Sequence, residues 1–200
     1  IDTVTSMLQE NIMQTRLQPV SVVFTKFPRV IRDLARKLDK QIELKMSGQD
    51  VELDKSIVEL LSDPLTHLVR NSCDHGIEHP ETRIDSGKNP VGTVILRAYH
   101  QGVKVVIEIE DDGKGIDSER VKEIALKRNI ITESEAEKLS EHELQMLIMQ
   151  PGFSTAQKVS DVSGRGVGMD VVRANIEKLG GTIAIESEFG MSSKIILTLP

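Results

Sequence analysis

Two pairs of alternating segments stand close together in this chain: Thr93 to His100 with Val103 to Glu110, and Thr182 to Glu188 with Ser193 to Leu199. Apolar and polar residues trade places along each, the period of a strand half-buried on one face. Gln101-Gly102 in the first pair and Phe189-Gly190 in the second leave no room for a crossover helix, so each pair is predicted to be an antiparallel hairpin. A fifth strand is expected over Gln41 to Ser47, where Ile42, Leu44 and Met46 point one way. Hairpins interleaved with helices favour an α+β fold over a doubly wound sheet: a two-layer sandwich, helices on one face of a mixed, mostly antiparallel sheet of about five strands. The other sheet face is expected to be exposed and to carry Lys104, Glu108 and Glu110.

The helices follow from spacing and caps. Ile1, Val4, Leu8 and Ile12 make one narrow apolar stripe that Gln18-Pro19 closes. It reads as the tail of a helical dimerisation hairpin or as the first helix of the domain. Pro28 opens a helix with Phe27, Val30, Ile31, Leu34, Ala35 and Leu38 on one face. A helical pattern from Asp54 through Ile57, Leu60 and Leu61 meets Asp63-Pro64, which looks like a fresh N-cap. A second helix, or a kinked continuation, then runs to about Asp74. Gly76 to Gly92 reads as a polar loop. Asp117 is placed to cap a helix bearing Val121, Ile124 and Ala125, and Ser140-x-x-Glu143 is a capping box before Leu144, Leu147 and Ile148. Periodicity is lost between Pro151 and Gly168, and a helix carrying Val171, Val172, Asn175, Ile176 and Leu179 ends at Gly180-Gly181.

Composition narrows the function. At 200 residues, 38% hydrophobic, the chain can bury a real core, but aromatic residues make up only 2% and the net charge is −6. Stacking platforms for bases are therefore missing, and the charge has the wrong sign for a nucleic-acid or anionic-membrane partner. Cys73, the single cysteine, excludes an internal disulfide and any C-x-x-C site, which fits a reducing cytoplasm. Apolar runs such as Val20 to Phe24 fall far short of the roughly 18 residues of a membrane span. The chain starts with Ile and ends on a strand, so it reads as an excised fragment.

Three segments carry chemistry, each weakly when alone. On a helix, His67, Asn71 and either Asp74 or His75 form a polar stripe opposite Leu65, Leu68, Val69 and Ser72. A solvated helix face would look the same. Asp111-Asp112-Gly113-Lys114-Gly115 follows a strong strand; its glycines let backbone approach a ligand, and a carboxylate there can accept a hydrogen bond from an exocyclic amine. An ordinary turn is the alternative. Gly164-Arg165-Gly166-Val167-Gly168 opens a helix, where successive backbone N–H groups and the helix N-terminus suit a phosphate. It is neither a dinucleotide fingerprint nor a P-loop. A flexible loop docked on a helix is the plainer reading.

In order along the chain the set is far more specific. Asn71 on a helix, Asp111-x-Gly-x-Gly after a strand, Gly152-Phe153-Ser154-Thr155 and the triple-glycine loop resemble the N, first glycine, F and second glycine boxes of the GHKL ATP-binding family. His-Leu-Val-Arg-Asn, Asp-His-Gly-Ile-Glu, Pro-Gly-Phe-Ser-Thr and Val-Ser-Gly-Arg-Gly-Val-Gly-Met-Asp-Val-Val look like the versions in the CheA family of chemotaxis histidine kinases. The resemblance covers nearly the whole chain: 1–18 look like the end of a helical dimerisation domain and 19–200 like the ATP-binding catalytic domain.

The resemblance implies a role for each residue. Asn71 would ligate Mg²⁺, a hard cation suited to an amide oxygen, waters and phosphates, and Asp111 would receive the adenine amine. Asp74 and His75 would line the nucleotide, with Gly113, Gly115, Gly164, Gly166 and Gly168 letting backbone approach it, and Arg165 and Val167 belonging to the same loop. Ser154 and Thr155 would sit at the hinge of a lid spanning Ile131 to Gly166, and Arg120 is a candidate phosphate contact, with a solvated surface arginine as the alternative. Met146, Leu147 and Met149 would meet a partner if exposed; such residues usually belong to a core.

His67 departs from the hydrolysing branches of the family, which place a glutamate one turn before the metal asparagine to activate water. An imidazole there disfavours hydrolysis and is compatible with transfer of the γ-phosphoryl group to a histidine brought from outside. His67, His75, His79, His100 and His142 do not resemble the acceptor, so the fragment is expected to bind ATP without phosphorylating itself. The implied partners are a separate phosphotransfer domain, the dimerisation and regulatory domains of the full chain, a CheW-type coupling protein, chemoreceptors and, indirectly, response regulators, in the bacterial cytoplasm at receptor arrays. A hydrolysing ATPase of the same fold and a noncatalytic, nucleotide-gated interaction module are the rival readings.

Overall fold

The computed structural model describes residues 2–14, 16–153 and 168–200. Five strands form one sheet in the order β2-β4-β5-β7-β6: β2 (Ile42–Ser47), β4 (Gly92–Gln101), β5 (Lys104–Asp111), β6 (Thr182–Glu188) and β7 (Ser192–Leu199). Both expected hairpins are present, β4 with β5 and β6 with β7, and β5 also pairs antiparallel with β7. Among the described residues only β2 runs parallel to its neighbour, β4. The α+β sandwich and its mixed sheet are as expected.

Helices α3 (Phe27–Leu38), α4 (Lys55–Asn71) and α9 (Met169–Lys178) share the main core with one sheet face. Phe24, Phe27, Leu65, Val69, Leu96, Ile107, Ile176 and Leu197 are among its fully enclosed side chains. A second, smaller core joins Val121 and Ala125 of α6 (Ser118–Lys127) to Leu144 of α8 (Glu141–Met146) and to Leu147. Asp117 caps α6, and capping boxes open both α8 and the short α7 (Glu133–Ala136). Of the span expected to be a lid, residues 131–149 thus pack as short helices against α6, and Leu147 and Met149 are buried.

Several local expectations need correction. The first helix, α1 (Asp2–Gln14), ends before Gln18-Pro19, and β1 (Leu17–Pro19) pairs with β3 (Glu52–Asp54) in a two-stranded ribbon. Among the described residues the stripe of α1 is uncovered, with Val4, Leu8 and Ile12 all more than half exposed. A four-residue α2 (Ser21–Phe24) follows the ribbon. Pro64 starts no new helix. It lies buried inside α4, where packing outweighs its missing N–H. The supposed polar loop contains α5 (Pro80–Asp85), whose Arg83 is 1% exposed. Glu108, expected on the open sheet face, is only 9% exposed because Arg97 and the Tyr99 hydroxyl cover it, at 3.2 and 2.9 Å.

Candidate functional site

Helix α4 buries Leu65, Leu68 and Val69 below, with Ser72 just beyond its end also buried, and leaves His67 and Asn71 half-buried above, as the spacing predicted. At Ser72–Gly76 the chain widens into one π-helical turn, closed by the Ile77 N–H donating to the Ser72 carbonyl at 2.8 Å. Such turns release carbonyls from the helical ladder. Here Lys40 satisfies two of them, its Nζ lying 2.9 Å from the Cys73 oxygen and 2.7 Å from the Asp74 oxygen. Asp74 and His75 project from this turn as exposed side chains, 3.9 Å apart.

Opposite the turn, Asp111 ends β5 with its carboxylate buried. It accepts hydrogen bonds from the Ser72 hydroxyl and, at 3.1 Å, from the Gly113 N–H. Burial raises its pKa from the ordinary 3.8 to about 6; the two hydrogen bonds oppose the rise, and the nearby negative charges of Asp112 and Glu78 add to it. Two glycines are forced by this packing. A Cβ on Gly76 would sit 2.8 Å from the Asp111 Oδ1, and one on Gly113 would sit 2.1 Å from the Gly76 carbonyl oxygen. Gly115 adopts φ +69 directly over the Glu188 carbonyl, so the glycine segment rests on the turn between β6 and β7.

Asn71 reaches the third segment. Its amide nitrogen donates to the sulfur of Met169 at 3.2 Å, and Met169 is the first residue of α9 after its N-cap, Gly168. The side-chain oxygen of Asn71 is thereby oriented away from the sulfur as a hard donor. The pKa of His67 is lowered by burial first, then by the positive charges of Arg70 and His75, which favours the neutral imidazole. Cys73, fully buried, has its thiol pushed up to about 12 by burial and by the Asp111 charge. It is an inert core residue.

The structure therefore brings together His67, Asn71, Asp111, Gly113 and Gly168 around the ends of α4, β5 and α9, with Asp74 and His75 at the rim. Arg120 is exposed on the first turn of α6 and, among the described residues, makes no hydrogen bond or ion pair with these. Ser154, Thr155, Gly164, Arg165, Gly166 and Val167 lie outside the described residues. Sequence reasoning missed Ser72 as the partner of Asp111, Lys40 beneath the π turn, and the Arg83 cluster behind the glycine segment. The Lys40, Ser72 and Asp112 contacts had no local signal, because each closes over a long stretch of chain.

An asparagine-bearing helix thus stands beside a strand-end aspartate and two close-packed glycines. Residues 61–200 match the family described as histidine kinase-, DNA gyrase B- and HSP90-like ATPase, and the chain belongs to that family. Over all of its length it is 54% identical to the sensor histidine kinase CheAY of Helicobacter pylori, covering 25% of that protein. It is 52% identical to the chemotaxis protein CheA of Salmonella typhimurium and 50% identical to that of Bacillus subtilis, over 96% of this chain and 28% and 29% of theirs. The chain thus spans little more than a quarter of these relatives' length. The fold is shared with a histidine kinase domain from Erythrobacter litoralis (14% identity, TM-score 0.51, 91% of this chain and 65% of that one) and with the Acinetobacter baumannii histidine kinase AdeS (17%, 0.51, 92% and 65%). Among the described residues no helix is long and apolar enough to cross a membrane.

Proposed function

We propose that this chain is the catalytic domain of a CheA-type histidine kinase, which binds Mg-ATP and transfers its γ-phosphoryl group to a histidine on a separate phosphotransfer domain. The observation that carries the reading is the buried Asp111 carboxylate, fixed at the end of β5 by the close-packed backbone of Gly76 and Gly113. Its free lone pairs accept the adenine amine. Asp74 and His75 line the nucleotide, and Gly113, Gly115 and Gly168 let backbone close on it.

A magnesium ion fits the donor set. Among the described residues no group of three or more His, Cys, Asp or Glu could cage a metal, so a cation here would be held by the oxygen of Asn71 and by the nucleotide's own phosphates. When bound, it neutralises charge on the phosphates. His67, neutral and one turn before Asn71, accepts the proton as the acceptor imidazole nitrogen attacks the γ-phosphorus and the bond to the β-phosphate oxygen breaks, releasing ADP. In the same proposal residues 1–18 end a dimerisation domain and 19–200 form the catalytic domain. The whole protein works in the bacterial cytoplasm with a CheW-type coupling protein and chemoreceptors, and feeds response regulators.

The test supplies the chain with labelled Mg-ATP and a separate CheA phosphotransfer domain, then follows phosphohistidine and free phosphate together. Label on that domain, lost in Asn71→Ala, is expected. Free phosphate without transfer would overturn the kinase reading in favour of hydrolysis. His67→Ala is expected to slow transfer with nucleotide affinity intact; a full rate in that variant would remove His67 from the mechanism.

A further inference from the structure

Behind the glycine segment lies a cluster of four charges that the proposed chemistry does not use. Arg83 on α5 is almost wholly enclosed, and every one of its guanidinium nitrogens is engaged. Nε donates to the Asn89 carbonyl at 2.7 Å, one terminal nitrogen to Glu78 and to the Asp112 carbonyl, both at 3.0 Å, and the other to the Asp112 carboxylate at 3.1 Å. Lys88 completes the set from the other side. Its ammonium lies 2.9 Å from Glu78, 3.2 Å from the Asp112 carbonyl and 2.7 Å from the Gly113 carbonyl. Asp112 is fixed again by the Thr93 N–H at 2.8 Å on its carboxylate.

Burying such a cluster is costly unless every member is paired, and here the fork of one arginine and the point charge of one lysine converge on two consecutive peptide carbonyls. Those carbonyls belong to Asp112 and Gly113, the residues immediately after Asp111. Gly113 in turn donates its N–H to the Asp111 carboxylate and rests against the Gly76 carbonyl with no room for a side chain. A small shift of this peptide would therefore swing the carboxylate.

We infer that Arg83 and Lys88 are positioning residues for base recognition: by clamping the Asp112 and Gly113 carbonyls they aim Asp111 at the exocyclic amine of the nucleotide. The inference rests on the reading of Asp111 as the adenine acceptor. The clamp also sets the local field. Facing Asp111 are Ser72 and Cys73 from the π turn, Glu78 from the segment after it, Asp112 from its own strand end and, across Asp112 and Glu78, Arg83 and Lys88. Without the lysine charge, Glu78 and Asp112 oppose ionisation of Asp111 with one cation fewer.

The test compares ATP with purine riboside triphosphate, which lacks the amine, by equilibrium binding to the chain and to Lys88→Met. Arg83→Lys serves as a second variant that keeps the charge and loses the fork. The parent is expected to prefer ATP. Lys88→Met should weaken ATP by about tenfold, the worth of one hydrogen bond to a charged group, while changing the amine-free analogue less than about twofold. The pH below which ATP affinity falls should also move upward. Equal weakening of both nucleotides, or no change in either, would overturn the clamp. A parent that binds ATP but does not prefer it would overturn the reading of Asp111, and with it the clamp; a parent that binds neither would overturn nucleotide binding itself.

Discussion

The strand end at Asp111 and the short helices α6 to α8 are held in opposite ways. Around Asp111 the chain is fixed by polar contacts in a space where even a methyl group does not fit: the Ser72 hydroxyl, the Gly113 N–H, the Arg83 fork and the Lys88 ammonium. The α6–α8 region is a small apolar core of Val121, Ala125, Leu144 and Leu147, with its helix starts closed by side-chain caps. Directional bonds fix an atom to within tenths of an ångström, whereas a small apolar cluster tolerates sliding. Under the proposed function, the first kind of support suits recognition of a base edge, and the second would suit a lid.

The sharpest way to break this contrast is Gly113→Ala. The new methyl would meet the Gly76 oxygen at 2.1 Å and the Asp111 Oδ1 at 2.7 Å, so ATP affinity is expected to fall by about a hundredfold or more, the scale of an overpacked buried site. Unchanged binding by titration calorimetry would mean that the strand end yields as readily as the helices do.

A smaller effect comes from pH. Asp111 is ionised above about 6 and loses its acceptor as it takes up a proton below that, so ATP affinity should drop by up to about tenfold for each unit under 6. Stability without nucleotide should run the other way. The folded-state value lies above the ordinary 3.8, so the folded chain holds the proton more tightly and gains from this group as pH falls from above 6 toward 3.8. Binding and melting profiles that move together would show that another group dominates.

The smallest effect sharpens the other side. Ser140→Ala removes the cap on α8, a loss of about 1 kcal/mol, and amide exchange is expected to quicken about fivefold in Glu141–Met146 while β5 keeps its protection. Equal quickening in both would join the two regions into one cooperative unit.

What the sequence disclosed follows the same division. Local devices were legible: the two hairpins, the Asp117 and Ser140 caps, the glycines after α9, and the buried and polar sides of α4. Asn71, Asp111 and the glycines were legible as a set because their order along the chain is distinctive. The parallel pairing of β2 with β4 was not, since parallel partners share no turn. The β1–β3 ribbon has strands of three residues, too short to show a period. Asp63-Pro64 left a fresh helix and a kinked continuation both open; the helix continues, with Pro64 buried in the core. Arg83 was hidden by the ordinary expectation that charge faces water, and only the fold brings Asp112 to it.

The strand that delivers Asp111 begins at the hairpin tip, where Gly102 takes φ +64 and Val103 is 94% exposed. Eight steps from Val103 to Asp111 at the rise of a strand put that tip about 26 Å from the strand's far end. Nothing there is braced as the far end is, so the tip is the natural place to graft a tag or split the chain for circular permutation. A fluorophore carried at that point would ride on the strand that ends at Asp111, at the end far from it.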